Sequence, residues 1–423
     1  MTVAEGTSKA AKADERRMDS RFRGYLGAAA VSSLGGTATY LASAILIASV
    51  GTSLAETARN TSLVFGLSLV SSSLSVVYAT RVARRLGPVA TLYWARTALL
   101  LSKVVTGTAL FFDAPVLPTL LLYALLIGGF RGLLKPLTPP LLVHYSGWSL
   151  DDATAMNRRF RGGAAAIGAL VAGFAVSRIG AEPMFIFGAV LGLPAVWYLK
   201  FRPPANPVPQ PKEIKKPWRS LVVCMKDSPA LRSSVWLGVA AAILLGPLVT
   251  MVVPILNQLG HGESEKAGLV FFILALGQVF TPLVVRRLES RRTPLRAATR
   301  AVQITAVAFL SLSALALLPY GPDLYLLIFC AFVFGAVFFS VSSFLYASAT
   351  ADATEKEEDE YLASYMLITG LGAPIGTLIW GHALGSVSLE VFFLVISVIA
   401  ALLVPALLRK SLRAVESQGN MTT

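Results

Sequence analysis

Two basic side chains lie in the middle of an apolar stretch that is long enough to cross a bilayer. The stretch, residues 119–143, has Arg131 near its centre and Lys135 one turn later. Gly128 and Thr138 fall on the same side of a helix as these charges, so one stripe of the helix is small, charged or polar. A charge in mid-bilayer costs at least about 2.5–3.5 kcal/mol on insertion scales. We therefore expect both basic groups to face protein or a water-filled cavity.

These charges have a functional and a structural interpretation. In the functional one, Arg131 and Lys135 bind an anionic substrate, or Arg131 tunes a proton site. In the structural one, Arg131 hydrogen-bonds polar groups of the first helix and only packs. Two further basic residues share one face of the third apolar segment. We expect both to snorkel, Arg96 to the inner interface and Lys103 to the outer one, and the alternative is a direct role in the site.

The composition is typical of polytopic membrane proteins. Of 423 residues, 55% are hydrophobic and 14% are charged, whereas soluble domains carry about 25% charged residues. The formal charge of +14 would indicate nucleic acid in a soluble protein. Here the basic residues cluster in short loops, where the positive-inside rule explains them, and no nucleic-acid partner is expected. The sequence contains no Walker, HExxH or CxxC motif, so we expect no ATP drive, no metal, no cofactor and no enzyme activity.

Twelve apolar segments are predicted to span the membrane. Their approximate bounds are 23–50, 60–80, 88–111, 117–143, 160–178, 183–200, 233–257, 266–286, 295–318, 323–348, 361–384 and 388–408. A proline-rich stretch divides them six and six, so the predicted fold is an all-α integral membrane protein of two pseudo-symmetric six-helix bundles. The predicted parts are a cytoplasmic tail 1–22, an N-terminal bundle 23–200, a cytoplasmic central loop 201–232, a C-terminal bundle 233–408 and a cytoplasmic tail 409–423.

The distribution of lysine and arginine predicts that both termini lie in the cytoplasm. The membrane is expected to be the cell inner (plasma) membrane. Basic residues concentrate in alternate loops, at 81–85, 158–161, 200–232 and 286–296. In the central loop, residues 216–227 form either a basic amphipathic helix on the membrane surface or a solvated connector. The acidic run 355–360 is either a solvated loop or a partner of inner-loop arginines. Motifs recur between the halves at offsets of 202 and 204 positions, which favours parallel six-helix repeats.

Two motifs resemble those of the major facilitator superfamily. The turn after the second segment carries Arg81, Arg84 and Arg85 before a glycine, similar to the family's arginine-rich loop. Residues 163–173, GAAAIGALVAG, resemble the antiporter signature of drug-efflux members, and the preceding turn is similar to that of the macrolide-efflux and enterobactin-exporter branch. The resemblance implies gating roles for the three arginines and for Gly168 and Gly173.

The resemblance also implies which helices line the cavity, namely the first, fourth, seventh and tenth. The candidate substrate-binding residues on them are Arg131, Lys135, Thr138, Thr37, Tyr40, Asn257, Gln258, Phe334 and Phe338. In the seventh segment, Pro247 and Pro254 are expected to break the helix and provide a hinge. Aromatic residues at helical spacing also arise from packing alone, so Phe334 and Phe338 have both interpretations.

No aspartate or glutamate lies in the interior of a predicted segment, because Asp113, Glu182, Asp323 and Glu390 all fall near segment ends. A cationic cavity without carboxylates favours anionic or neutral cargo. The resemblance implies a monomeric secondary transporter that exports small organic molecules by alternating access, coupled to proton antiport. The alternative is a facilitator or importer of an organic anion with the same fold, and a third hypothesis is a polytopic receptor or assembly protein.

Overall fold

The computed structural model describes residues 19–204, 208, 225, 228–289, 293–313, 323–349, 358–404 and 406. Within them, all regular secondary structure is helical, which confirms the predicted fold class. The predicted surface helix at 216–227 lies outside the described residues apart from Met225, and so do the first three residues of the acidic run. The domain boundaries in the tails and the central loop stay predictions.

We number the helices after the twelve predicted segments, with a and b for the two arms of an interrupted helix. The N-terminal half contains α1 (Ser20–Val50), α2 (Leu54–Leu86), α3 (Pro88–Phe111), α4a (Val116–Leu134), α4b (Thr138–Ser146), α5 (Leu150–Ile179), α6a (Pro183–Val190) and α6b (Leu193–Phe201). The C-terminal half contains α7a (Pro229–Leu244), α7b (Leu248–Gln258), α8 (Ser264–Glu289), α9 (Pro294–Ser313), α10a (Asp323–Val333), a π-helical segment (Phe334–Phe338), α10b (Phe339–Ala349), α11 (Glu358–Ala383), α12 (Leu389–Val398) and a second π-helical segment (Ile399–Leu403).

Local sequence sets where these helices begin. Serine side chains cap three of them, because a serine oxygen can accept an otherwise unpaired N–H of the first turn. Ser53 Oγ accepts the N–H of Glu56 at 3.1 Å in α2, and Ser149 Oγ accepts the N–H of Asp152 at 3.2 Å in α5. Ser228 does the same at the start of α7a. Proline occupies the first turn of α3 and α6a, where its missing N–H costs nothing.

Four helices are interrupted near their centres, α4, α6 and α7 by turns and α10 by a π-helical segment. In α4, Pro136 has no N–H, and the chain turns through residues 135–137 before the helix resumes. In α7, Gly246 and Pro247 together interrupt the helix, which confirms the predicted break there. The predicted break at Pro254 is wrong, because α7b continues through it. A single proline removes one backbone hydrogen bond, which kinks a helix without ending it.

Nine of the described helices are long and apolar enough to cross a membrane. They are α1, α2, α4a, α5, α6, α7, α8, α10 and α11. The helix α3, which carries two of the basic residues discussed above, is not among them, and neither are α9 and the shorter α12. The membrane class follows from these spans, and the number of twelve crossings stays a prediction.

The helices form two bundles with a paired interface. In the N-terminal bundle, α1 packs along α5 and α6, and α4 packs against α2 and α3. In the C-terminal bundle, α7a packs along α11, and α9 packs against α10 and α12. The bundles meet where α5 contacts α8 and where α2 contacts α11. Because α2 corresponds to α8 and α5 to α11 in the two halves, the two contacts are equivalent, as the predicted pseudo-symmetry requires.

Consecutive helices run antiparallel, so their ends fall on two faces. We call the face with the start of α1 the N-terminal face and the other, with the α5–α6 turn, the distal face. One hydrophobic core runs through both bundles and includes the distal halves of α1, α2 and α5. A second core at the N-terminal face contains Val208 of the central loop and residues of the N-terminal helices, among them Phe22, Leu141 and Leu199, and no residue of the C-terminal bundle. The bundles are therefore joined most extensively near the distal face.

Candidate functional site

Arg131 projects from the last turn of α4a into the centre of the N-terminal bundle. Its side chain is exposed, yet its Nη2 lies 4.0 Å from the position that a Cβ on Gly36 of α1 would occupy. Its charge acts on groups of α1, α3, α4 and α5, namely Tyr40, Lys103, Tyr123, Lys135 and Arg161. A side chain that is exposed among so many helices lines an internal cavity, as predicted for a mid-membrane charge.

Lys135 and Arg161 border the same space. Both side chains are solvent-exposed although they are surrounded by protein. Lys135 closes the last turn of α4a, where its N–H donates to the Arg131 carbonyl at 3.3 Å, and the interruption at Pro136 follows directly. With the described part of the chain, the side chains of Arg131, Lys135 and Arg161 make no hydrogen bond or ion pair. We call the space that these three residues border the basic cavity.

The expectation that Lys103 snorkels to the outer interface is wrong. Lys103 is only 5% exposed, and its Nζ donates to the carbonyl of Gly188 at 3.1 Å. This carbonyl is available because α6 is interrupted: the N–H of Gly192 donates to the Ala189 carbonyl at 2.9 Å instead of to Gly188. The freed backbone carbonyl therefore accepts a hydrogen bond from the buried ammonium inside the bundle. A snorkelling lysine would instead have been solvated by water at the interface.

Arg96 also points into the bundle. Its Nη2 donates to the hydroxyl of Tyr25 at 3.3 Å, and its Nε is buried without a hydrogen-bond partner in the described part of the chain. Tyr25 stacks on Tyr145 with ring centroids 5.0 Å apart. Because the charge of Arg96 acts on Arg161, the basic groups form a continuous series from the cavity toward the N-terminal face.

The predicted residues of α1 and α4b lie beside the basic cavity and are bonded to their own helices. Thr37 donates to the Ser33 carbonyl at 3.1 Å, one residue after the glycine that faces Arg131. Thr138 donates to the Leu134 carbonyl at 2.8 Å across the interruption of α4. Each hydroxyl thus donates its hydrogen to a carbonyl one turn earlier, and its oxygen lone pairs stay available as acceptors.

Tyr40 closes the space between Arg131 and the distal face. Its hydroxyl donates to the carbonyl of Val249 in α7b at 3.2 Å, and its ring packs 4.5 Å from that of Phe65 and 5.6 Å from that of Phe271. These contacts join α1 to α2 of its own bundle and to α7b and α8 of the other bundle. Tyr40 therefore links the two bundles on the distal side of Arg131.

The predicted residues of the C-terminal bundle do not converge on Arg131 in the same way. Asn257 and Gln258 form the end of α7b at the distal face, where the Asn257 side chain packs against Gly262. Phe334 is fully buried and stacks on Phe338 at 4.3 Å. This places Phe334 in the aromatic core, whereas Phe338 is half-buried and stays a candidate for cargo contact. A π-helical segment, frequent at functional sites, carries both rings.

The predicted gating residues lie in two places, the three arginines at the N-terminal face and the two glycines on α5. Arg81, Arg84 and Arg85 are exposed at the N-terminal end of the molecule, in the last turns of α2. Gly168 packs against α1 and Gly173 against α8. A Cβ on Gly173 would lie 2.8 Å from the Ser264 carbonyl oxygen and 2.9 Å from the Cα of Gly268, so only glycine permits this approach of the two bundles.

Sequence reasoning missed Arg161, which it assigned to an inner loop. The predicted fifth segment began only one residue before Arg161, whereas α5 begins at Leu150, so Arg161 lies well inside the helix, where the charge of Arg131 acts on it. The signal for the earlier start was present: Ser149 followed three residues later by Asp152 is a helix-capping pattern. The hydrogen bond from Arg158 Nη1 to Ser343 Oγ, 2.9 Å, which joins the bundles near the N-terminal face, was also not foreseen.

Comparison with known proteins identifies the family. The profile of the Major Facilitator Superfamily matches residues 26–354. The chain belongs to the major facilitator superfamily. Members of this superfamily are multi-pass membrane transporters that bind small molecules, sometimes together with protons. No curated protein matches the sequence.

Solved transporter structures share this major facilitator fold. The nucleoside transporter NupG is 14% identical with a TM-score of 0.62, and the match covers 92% of this chain and 99% of that chain. The inward open conformation of the xylose transporter XylE from E. coli is 12% identical with a TM-score of 0.69, covering 92% and 96%. A bacterial homolog to the human lysosomal transporter Spinster is 13% identical with a TM-score of 0.64, covering 91% and 97%. At these identities the similarity shows the fold alone.

Proposed function

We propose that this major facilitator protein is a secondary transporter of small organic anions that works by alternating access. The observation that carries the proposal is the basic cavity. Arg131, Lys135 and Arg161 project into one space, and none has a hydrogen bond or ion pair with the described part of the chain. Unpaired basic groups in a water-filled cleft concentrate anions and repel cations.

The absence of compensating acid strengthens the preference for anions. Every aspartate and glutamate in a described helix lies within three residues of the start or end of that helix. Arg131 and Arg161 come from adjacent helices of one bundle, so an anion between them would receive charge-assisted hydrogen bonds from both guanidinium groups. Neutral cargo would use the same cavity but gain less from it.

The packing supports alternating access with the basic cavity open toward the N-terminal face. The distal side is joined by Tyr40 on Val249 and by the close approach at Gly173. For transport, these contacts must separate while the N-terminal face closes. We propose that Gly168 and Gly173 permit this rocking and that the arginines at 81–85 gate the N-terminal face. In this proposal the protein lies in the inner membrane with both termini in the cytoplasm.

Direction and coupling have two candidate answers. Export by proton antiport is supported by the resemblance of residues 163–173 to drug-efflux transporters. Facilitated movement or import of an anion is favoured by the lack of a central carboxylate, the group that proton-coupled pumps usually titrate. Both use the basic cavity, so they differ in their response to a pH gradient.

The proposal is tested by uptake into inside-out vesicles of benzoate, succinate and phosphate, with benzamide as the neutral compound and benzylammonium as the cation. We expect uptake of at least one anion and its loss in Arg131→Ala. Arg178→Ala is the matched control, because Arg178 is exposed at the distal end of α5. Faster uptake when the vesicle lumen is more acidic than the medium would support proton antiport. Uptake of benzylammonium but of no anion would overturn the proposal.

A further inference from the structure

The basic groups that line the basic cavity are less well compensated than the neighbouring Lys103. Lys103 is buried, but its ammonium has the freed Gly188 carbonyl as a hydrogen-bond acceptor. Arg131, Lys135 and Arg161 have no such acceptor in the described part of the chain. In the conformation with the N-terminal face open, water solvates these three groups, as their exposure shows.

Alternating access must remove this solvent at one stage of the cycle. When the N-terminal face closes, Arg131 and the two basic groups on which its charge acts, Lys135 and Arg161, become enclosed by apolar helices. An enclosed charge without a counter-charge is strongly unfavourable, and like charges add mutual repulsion. The empty protein should therefore resist closure, whereas an anion in the cavity removes both penalties.

Protons cannot take the place of that anion. Arginine does not release its proton under physiological conditions, so the charges of Arg131 and Arg161 persist through the cycle. Nor does a described helix bring a carboxylate into its central part that could pair with them. Since the described helices supply no counter-charge there, a ligand is the group that can provide it.

Resting on the proposed function, we infer that the protein is an anion exchanger, which changes sides only when an anion occupies the space between Arg131 and Arg161. The anion carried in one direction is released and replaced by an anion for the return. An anion with two or more charges, such as a phosphate or a dicarboxylate, compensates the three basic groups best. The coupling partner is on this inference a second anion and not a proton.

The test uses the full-length protein in proteoliposomes with the membrane potential clamped by potassium and valinomycin, so that net charge movement does not limit uptake. Initial uptake of labelled phosphate, succinate and benzoate is measured into liposomes loaded with the same unlabelled anion or with sucrose. We expect uptake at least about tenfold faster with internal anion for the anion that is transported. Equal rates under both loadings would overturn exchange while leaving anion transport intact.

A variant separates the charge argument from a general effect of loading. Arg161→Gln removes one uncompensated charge, and we expect the ratio of the two rates to fall severalfold because the empty carrier now closes more readily. Arg178→Gln, on the same helix but outside the cavity, should retain the wild-type ratio. A ratio unchanged in Arg161→Gln would overturn the electrostatic explanation. No uptake of any of the three anions under either loading would overturn the proposed function itself.

Discussion

Replacing Tyr40 by phenylalanine should weaken the closed distal face without disturbing its packing. The change removes the hydrogen bond to the Val249 carbonyl, 3.2 Å, and keeps the ring against Phe65 and Phe271. A neutral hydrogen bond contributes about 0.5–1.5 kcal/mol net. Because this bond joins the two bundles, about 1 kcal/mol should be lost from the closed state, which shifts the open–closed equilibrium by about fivefold.

The shift can be read from the reactivity of a cysteine placed at the distal interface. Ser62 is 2% exposed and packs beside Gly381 of α11, so Ser62→Cys is protected while the face is closed. The background carries Cys224→Ser and is also measured without Ser62→Cys. We expect an impermeant maleimide, added from the distal side, to label Cys at position 62 about fivefold faster when Tyr40 is phenylalanine.

A matched variant controls for the loss of a tyrosine hydroxyl. Tyr145 donates to the Arg202 carbonyl at 2.8 Å within the N-terminal bundle, so Tyr145→Phe loses a similar bond but does not release the bundles from each other. Its labelling rate should equal that of the background. If Tyr40→Phe leaves the rate unchanged, or if both variants raise it equally, the role of Tyr40 at the distal face is refuted.

Three further outcomes follow from the structure. Lys103→Met removes a buried charge, a gain that should exceed the cost of about 1–3 kcal/mol for leaving the Gly188 carbonyl without its donor. The melting temperature should therefore hold or rise while anion affinity falls, and a large loss of stability would contradict this balance. Gly173→Leu should force α5 and α8 apart and speed labelling at position 62, because backbone of α8 lies 2.9 Å from the added Cβ. An unaltered rate would show that the helices adjust. Cys330 is fully buried and its Sγ donates to the Ala308 carbonyl at 2.9 Å, so it should not react with maleimide in the folded protein. Rapid labelling would contradict this placement.

The sequence predicted the helical membrane fold well because apolar runs of helical length have few other solutions. It also predicted that Arg131 and Lys135 face a cavity, since a central charge has nowhere else to go at low cost. It did not find Arg161, because the polar first turns of α5 resemble a loop when hydropathy alone is considered. The cap at Ser149 carried the missing information.

Other differences arose from tertiary structure that no local pattern contains. Lys103 could be placed only once the interruption of α6 had freed the Gly188 carbonyl. Phe334 and Phe338 are one helical turn apart, yet one is fully buried and the other half-buried, because α8 and α9 pack against the π-helical segment that carries them. Asn257 and Gln258 lie at the distal end because α7b continues through Pro254.

The central claim is that the basic cavity selects negative charge through Arg131, and binding of matched acids and amides tests it most directly. Affinities of benzoate and benzamide, and of succinate and succinamide, are measured by calorimetry for the purified wild type, Arg131→Gln and the control Arg178→Gln. A charge-assisted hydrogen bond contributes about 1.5–3 kcal/mol, so the acid should bind roughly 10- to 100-fold more tightly than its amide in the wild type and the control. In Arg131→Gln this preference should fall about tenfold, because Lys135 and Arg161 still supply positive charge. An acid preference that Arg131→Gln leaves unchanged, or tighter binding of the amides by the wild type, would contradict the claim.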